Sequence, residues 1–99
     1  MVLEHAVLTV RSEQSAEFEV ALAKARAVIA AAAGFLSLAV HRGVESPDRY
    51  LLLIGWETLD DHMVGFRQSE AFAEWRGFIG PFFESPPVVD HYLPVAGLS

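Results

Sequence analysis

Histidine trades a proton more readily near neutral pH than any other side chain, with an ordinary pKa of ~6.5. This chain has four: His5, His41, His62 and His91. His62 stands out for its company, with Phe66 four residues on and Arg67 just beyond, in what reads as the first turns of a short helix. A base beside a fixed cation and aromatic surface can take a proton from a weakly acidic hydroxyl and hold the resulting anion. The plainer alternative is that His62 packs against the preceding strand or sits half-exposed on its helix. His91 falls on the last strand, where it could bind a ligand or make a structural hydrogen bond at a subunit contact. His5 reads as a strand-end residue and His41 as a turn neighbour. Aromatic side chains cluster in the same stretch: Trp56, Phe66, Phe72, Trp75, Phe78, Phe82 and Phe83. Trp56, Phe66, Trp75 and Phe83 are candidate walls for a flat ligand, although Phe72, Trp75 and Ile79 also have ordinary helix-core spacing. Phe82-Phe83, set between Gly80-Pro81 and Pro86-Pro87, must cover something, either a cavity or a partner.

Other chemistries lack their residues. No G-x-G-x-x-G or P-loop pattern is present. The histidines are not spaced as a metal set, and in Asp90-His91 neighbouring strand residues point to opposite faces. The absence of cysteine removes disulfides, thiolate catalysis and cysteine-based zinc sites, and fits a cytoplasmic protein. Seven basic residues against thirteen acidic ones give a net charge of −6 with no Lys/Arg cluster, so nucleic acid is not an expected partner. No signal peptide and no apolar run of membrane-spanning length is found, so a soluble protein is expected.

The elements that must position these residues follow from periodicity. Residues 2–10 alternate as a strand, with Val2, Ala6, Leu8 and Val10 on one face and His5, Val7 and Thr9 on the other. Ser12 is placed to cap a helix whose apolar stripe is Phe18, Leu22, Ala25, Ile29 and Ala32, stopped by Gly34. Residues 35–42 form a second strand with Leu36, Leu38 and Val40 on one face, and Ser46-Pro47-Asp48 a turn. Residues 49–57 form a third strand that is apolar on both faces. Thr58-Leu59-Asp60-Asp61 is a capping box in its Asp form, opening a short helix that Gly65 interrupts. Ser69 caps a second helical piece ending at Gly80-Pro81, and residues 88–95 make the last strand.

This order, β-α-β-β-α-β, predicts a ferredoxin-like α+β fold with a four-stranded antiparallel sheet, one domain over residues 1–95 and a tail over 96–99. Two helices cover one face of that sheet. The other would expose half of the third strand together with Val7 and Ala39. A chain 53% hydrophobic with mean hydropathy +0.32 has apolar surface to spare, and pairing that face with a second copy would bury it. A homodimer, two sheets enclosing a barrel, is the expectation.

Several segments carry a family likeness. Trp56-Glu57-Thr58-Leu59-Asp60-Asp61-His62, Gly65-Phe66-Arg67-Gln68-Ser69, Phe72 and Trp75 form one; Gly34-Phe35, Asp48-Arg49-Tyr50-Leu51-Leu52 and Val89-Asp90-His91-Tyr92 are others. Together they resemble the antibiotic biosynthesis monooxygenase family of the dimeric α/β barrel superfamily. The resemblance implies a homodimer that oxidises a small aromatic, phenolic or quinol compound with O2, without metal, flavin or haem. His62 would then be the base, Arg67 the anion holder, and Trp56, Phe66, Trp75, Phe83 and His91 the substrate contacts. The family also includes haem-degrading members and domains of other use. The haem-degrading pattern of a Trp before Ser-x-x-Phe, a His after it and a first-strand Asn is not met here: Ser69-Glu70-Ala71-Phe72 is flanked by Phe66 and Arg76. Haem degradation is therefore disfavoured. A non-catalytic dimer that binds a small hydrophobic ligand, or serves as an accessory module, is the alternative; a polar group deep in the cavity would favour the enzyme, and a wholly apolar interior the binder.

Overall fold

In the computed structural model, which describes residues 1–98, the chain folds as β1 (Val2–Thr9), α1 (Ser15–Ala30), β2 (Phe35–Arg42), β3 (Arg49–Trp56), a π-helical segment (Asp61–Phe66), α2 (Glu70–Ile79) and β4 (Val88–Tyr92). The strands form one antiparallel sheet in the order β2-β3-β1-β4, the ferredoxin-like arrangement. The expected tail ends in Ser99, which lies outside the described residues.

Alternation decides which side chains meet the helices. On β1, Val2, Glu4, Ala6 and Leu8 are buried and their neighbours only half so; on β3, Tyr50, Leu52, Ile54 and Trp56 are buried. Against them lie Phe18, Leu22, Ala25 and Ile29 of α1, the expected stripe, with Trp75 and Ile79 of α2. The opposite face presents Leu3, Val7, Leu51, Leu53 and Ala39, with Val88 and Tyr92 more than half exposed, and no described element covers it.

Several boundaries differ from expectation for local reasons. Ser12 opens a 3-10 turn instead of capping α1, which begins at Ser15. A bulge between Phe35 and Ser37 sets Phe35 opposite Trp56 and leaves Leu36 48% exposed, off the face of Leu38. The last strand stops at Tyr92, two residues before Pro94, which has no N–H for a ladder.

The stretch after β3 matters most for the site. Thr58 and Asp61 cap each other: Thr58 Oγ1 accepts from the Asp61 amide at 3.1 Å, and Asp61 Oδ2 accepts from the Thr58 amide at 3.1 Å and its hydroxyl at 2.9 Å. From Asp61 the chain makes one π turn running through Gly65, not an interrupted α-helix, with the Arg67 amide donating to the His62 carbonyl five residues back at 2.9 Å. The turn buries two side chains, His62 and Phe66. Gly34 (φ +80°) lies directly beneath, where any Cβ would collide with the Asp61 carboxyl. Its carbonyl accepts from the Glu57 amide at 2.8 Å, tying the turn that follows α1 to the residue that follows β3. Ser69 then caps α2 by accepting from the Phe72 amide.

Candidate active site

Register places the chemistry. Glu4 of β1 lies opposite His91 of β4 and Ile54 of β3, so Glu4 and His91 share the helix-covered face. The π turn lowers His62 between them. His62 Nδ1 is 2.8 Å from His91 Nε2, and His62 Nε2 is 3.2 Å from Glu4 Oε1. The same Glu4 oxygen accepts from the Trp56 indole N–H at 3.0 Å. Trp56 is fully buried and stacks on the His62 ring, centroids 5.2 Å apart and planes 18° from parallel, with Phe66 behind at 5.6 Å.

Burial sets the protonation states. Desolvation, aided by His91 and the Arg67 charge, pulls His62 down from 6.5 to about 4, so its ring is neutral at pH 7. Desolvation pushes Glu4 up against the opposing Trp56 hydrogen bond and the Arg67 charge. His91 is lowered, chiefly by burial. The Glu4–His62 contact is then a hydrogen bond from a neutral imidazole, not an ion pair. With Glu4 ionised, one tautomer set leaves no two donors and no two acceptors facing: His62 Nε2–H donates to Glu4, and His91 Nε2–H donates to His62 Nδ1.

This cluster meets a cavity of about 260 Å³ between the sheet and α2. Glu4 and His62 are its polar groups from the core. Ala6, Leu8, Leu52, Ile54, Phe72, Trp75, Ile79, Phe83 and Val89 are its apolar walls, and Arg67 and Arg76 are exposed at its rim. The cavity lies on the helix side of one chain's sheet, away from the face expected to pair with a second copy. Among the residues singled out from sequence, His62, Arg67, Trp75 and Phe83 line it. Trp56, Phe66 and His91 do not: the first two back the His62 ring, and His91 holds its Nδ1. Arg67 lies over the Phe72 ring at 6.0 Å and Arg76 over Phe83 at 5.3 Å. His5 faces the other side of the sheet, edge-on to Tyr92, and His41 is exposed.

Glu4 escapes sequence reasoning, yet its signal is there. It is the one charged residue in the buried parity Val2-Glu4-Ala6-Leu8-Val10, and a carboxylate in that parity is either paired or functional. Arg76 likewise draws notice in the sequence only as a neighbour of the Ser69–Phe72 segment.

Known proteins share this architecture. A solved Bordetella bronchiseptica structure, of a protein whose name places it among the antibiotic biosynthesis monooxygenases, is 44% identical and superposes with TM-score 0.92 over 95% of this chain and 96% of that one. The uncharacterized protein YczJ of Bacillus subtilis strain 168 is 36% identical over 96% of this chain and all of its own length. SnoaB of Streptomyces nogalater, a cofactor-independent oxygenase, shares the fold at 19% identity, with TM-score 0.78 over 98% of this chain and 95% of that one. No helix among the described residues is long and apolar enough to cross a membrane. Residues 1–77 match the family model for antibiotic biosynthesis monooxygenases, and the chain belongs to that family.

Proposed function

We propose that this protein is a cofactor-independent monooxygenase that oxidises a small phenolic or quinol compound with O2, working as a homodimer. The observation that carries the reading is the meeting of a proton-accepting cluster, Glu4–His62–His91, with an apolar cavity that has a cation at its rim. Removing a phenolic proton makes the ring electron-rich enough to pass an electron to O2. One oxygen atom then enters the substrate and the other leaves as water, the substrate supplying the electrons. Such a reaction asks the protein for a base, a site for the anion and a dry, flat slot. The cluster offers the base, Arg67 the anion site, and Trp75 and Phe83 flank the slot. The volume of about 260 Å³, just below the ~300–1,000 Å³ range of ligand pockets, suits a few fused rings at most. A purely apolar interior would favour a ligand-binding module; the buried carboxylate and imidazole favour the enzyme. The uncovered, largely apolar sheet face supports the homodimer.

The test is oxygen uptake by purified protein across a panel of anthrones, naphthols and quinols, with His62→Ala alongside. Substrate-dependent uptake that falls in the variant, which breaks the cluster, is expected. A well-folded protein that consumes no oxygen with any of them overturns the reading.

A further inference from the structure

His62 is the obvious base by residue type, but its geometry argues otherwise. Both ring nitrogens are engaged inside the protein, Nε2 with Glu4 at 3.2 Å and Nδ1 with His91 at 2.8 Å. A substrate hydroxyl has no lone pair on that ring to reach without displacing one of them. Glu4 differs. Its contacts with Trp56 and His62 both fall on Oε1. Oε2 accepts from no described residue, yet it is not sealed away from solvent as a buried orphan would be, so it is reachable, and Glu4 lines the cavity. Arg67, on the same lining, has no hydrogen bond or ion pair among the described residues, leaving its charge for an incoming anion.

From this geometry we infer that Glu4 is the catalytic base, taking the substrate's hydroxyl proton on Oε2, and that His62 is a positioning residue for it. The substrate O–H bond breaks, Glu4 Oε2–H forms, and both bonding electrons stay on the substrate oxygen, now an anion facing Arg67. The Trp56 and His62 N–H groups hold Oε1 and so aim Oε2 at the cavity. His91 fixes the His62 tautomer that can donate to a carboxylate. Burial, which raises the affinity of Glu4 for a proton, suits a carboxylate to this task. The assignment deepens the oxygenase reading and rests on it for the reaction, but not for the proton transfer.

Two measurements separate the roles. With an oxygen-consuming substrate, Glu4→Gln keeps an acceptor for Trp56 and His62 but cannot take a proton, and should lower kcat by at least ~100-fold. His62→Phe keeps the stack on Trp56 and removes one donor to the carboxylate. It should cost less and move the acid limb of the kcat profile to higher pH, because the ionised form of Glu4 loses support. The reverse order, His62→Phe inactive and Glu4→Gln within a few-fold of wild type, makes His62 the base and overturns the assignment. The second measurement needs no turnover. 4-Nitrophenol is bound at a pH where the free phenol is mostly protonated, and its phenolate absorption is read. Wild type should bind the phenolate and Glu4→Gln the neutral phenol; the same ionisation state in both overturns the assignment. Should Glu4→Gln fail to fold, wild-type protein carrying 13C-labelled glutamate carboxyls serves instead. One carboxyl signal should move to the protonated position on binding, and no movement overturns the assignment. Phenolate binding through Glu4 without oxygen uptake would remove the oxygenase reading alone.

Discussion

The two ends of β3 carry the same pairing in opposite settings. At its start the Tyr50 hydroxyl donates to Glu19 Oε2 at 2.6 Å, with Arg42 Nη1 3.9 Å from the same oxygen. At its end the Trp56 indole donates to Glu4 Oε1 at 3.0 Å, with His62 3.2 Å from it. Each is a core aromatic handing a proton donor to a carboxylate that also meets a nitrogen base. The Arg42 and Glu19 side chains are 44% and 53% exposed, those of His62 and Glu4 only 5% and 8%. Water screens the first cluster, and an ion pair so placed is worth at most ~1 kcal/mol. The second is largely withdrawn from water, so its groups hold protons at unusual pH. Volume does not make the distinction: the groove beside Tyr50 measures about 350 Å³, larger than the 260 Å³ cavity at Glu4. Desolvation separates the two ends, and it should show in stability as well as in turnover.

The largest effect expected is on acid stability. His62 titrates at about 4 in the fold against 6.5 when free. Between those values the unfolded chain binds a proton that the folded chain does not, so stability falls as pH drops through that window. A shift of that size corresponds to roughly 3 kcal/mol by pH 4. Urea midpoints measured from pH 7 to pH 4 should therefore decline steeply in wild type and much less in His62→Phe. Glu4 acts with the opposite sign. Its folded pKa is raised, so ionising it above its free value costs stability, and Glu4→Gln should be more stable than wild type at pH 7. An unchanged acid limb in His62→Phe would break the contrast between the two ends of β3.

How much of the molecule is legible in its sequence depends on the range of the interactions. The α1 stripe from Phe18 to Ile29, the Thr58–Asp61 box and the Ser69 cap each depend on residues within a few positions, and the chain honours them; the helix expected to run to Gly34 ends earlier, at Ala30. Two-sided burial of β3 points to the sheet and its helix-covered face. The π turn is not legible, because its residues suit an α-helix equally and the extra residue per turn is imposed by packing. Nor is the site's centre. His62 and His91 are 29 residues apart in sequence, and Glu4 and Trp56 are 52; only the strand order and register bring them together. Trp56 and Phe66 read as ligand walls from their residue type, but packing turns them into the backing of an imidazole.

A middling effect should come from the support beneath the buried cluster. Gly34→Ala puts a methyl group at a left-handed backbone position and into the Asp61 carboxyl, and should cost ~2 kcal/mol or more. Because Asp61 opens the turn that carries His62, the loss should be accompanied by a change in the His62 and His91 ring signals in NMR spectra. A stability loss with both ring signals unmoved would mean that the cap does not position the site.

The smallest effect belongs to the exposed end of β3. Tyr50→Phe removes the hydroxyl that donates to Glu19 and keeps the ring, which is 1% exposed and packs on Phe18 with centroids 4.8 Å apart. Glu19 loses a donor but keeps water and Arg42, so no carboxylate is left stranded, and the cost should stay below ~1 kcal/mol. Trp56→Phe at the other end removes the matching donor, together with part of a buried ring, from a carboxylate only 8% exposed, and should cost clearly more in the same set of urea melts. Equal losses would mean that Glu4 is solvated in the folded protein, and the desolvated base at the heart of this site would then have no basis.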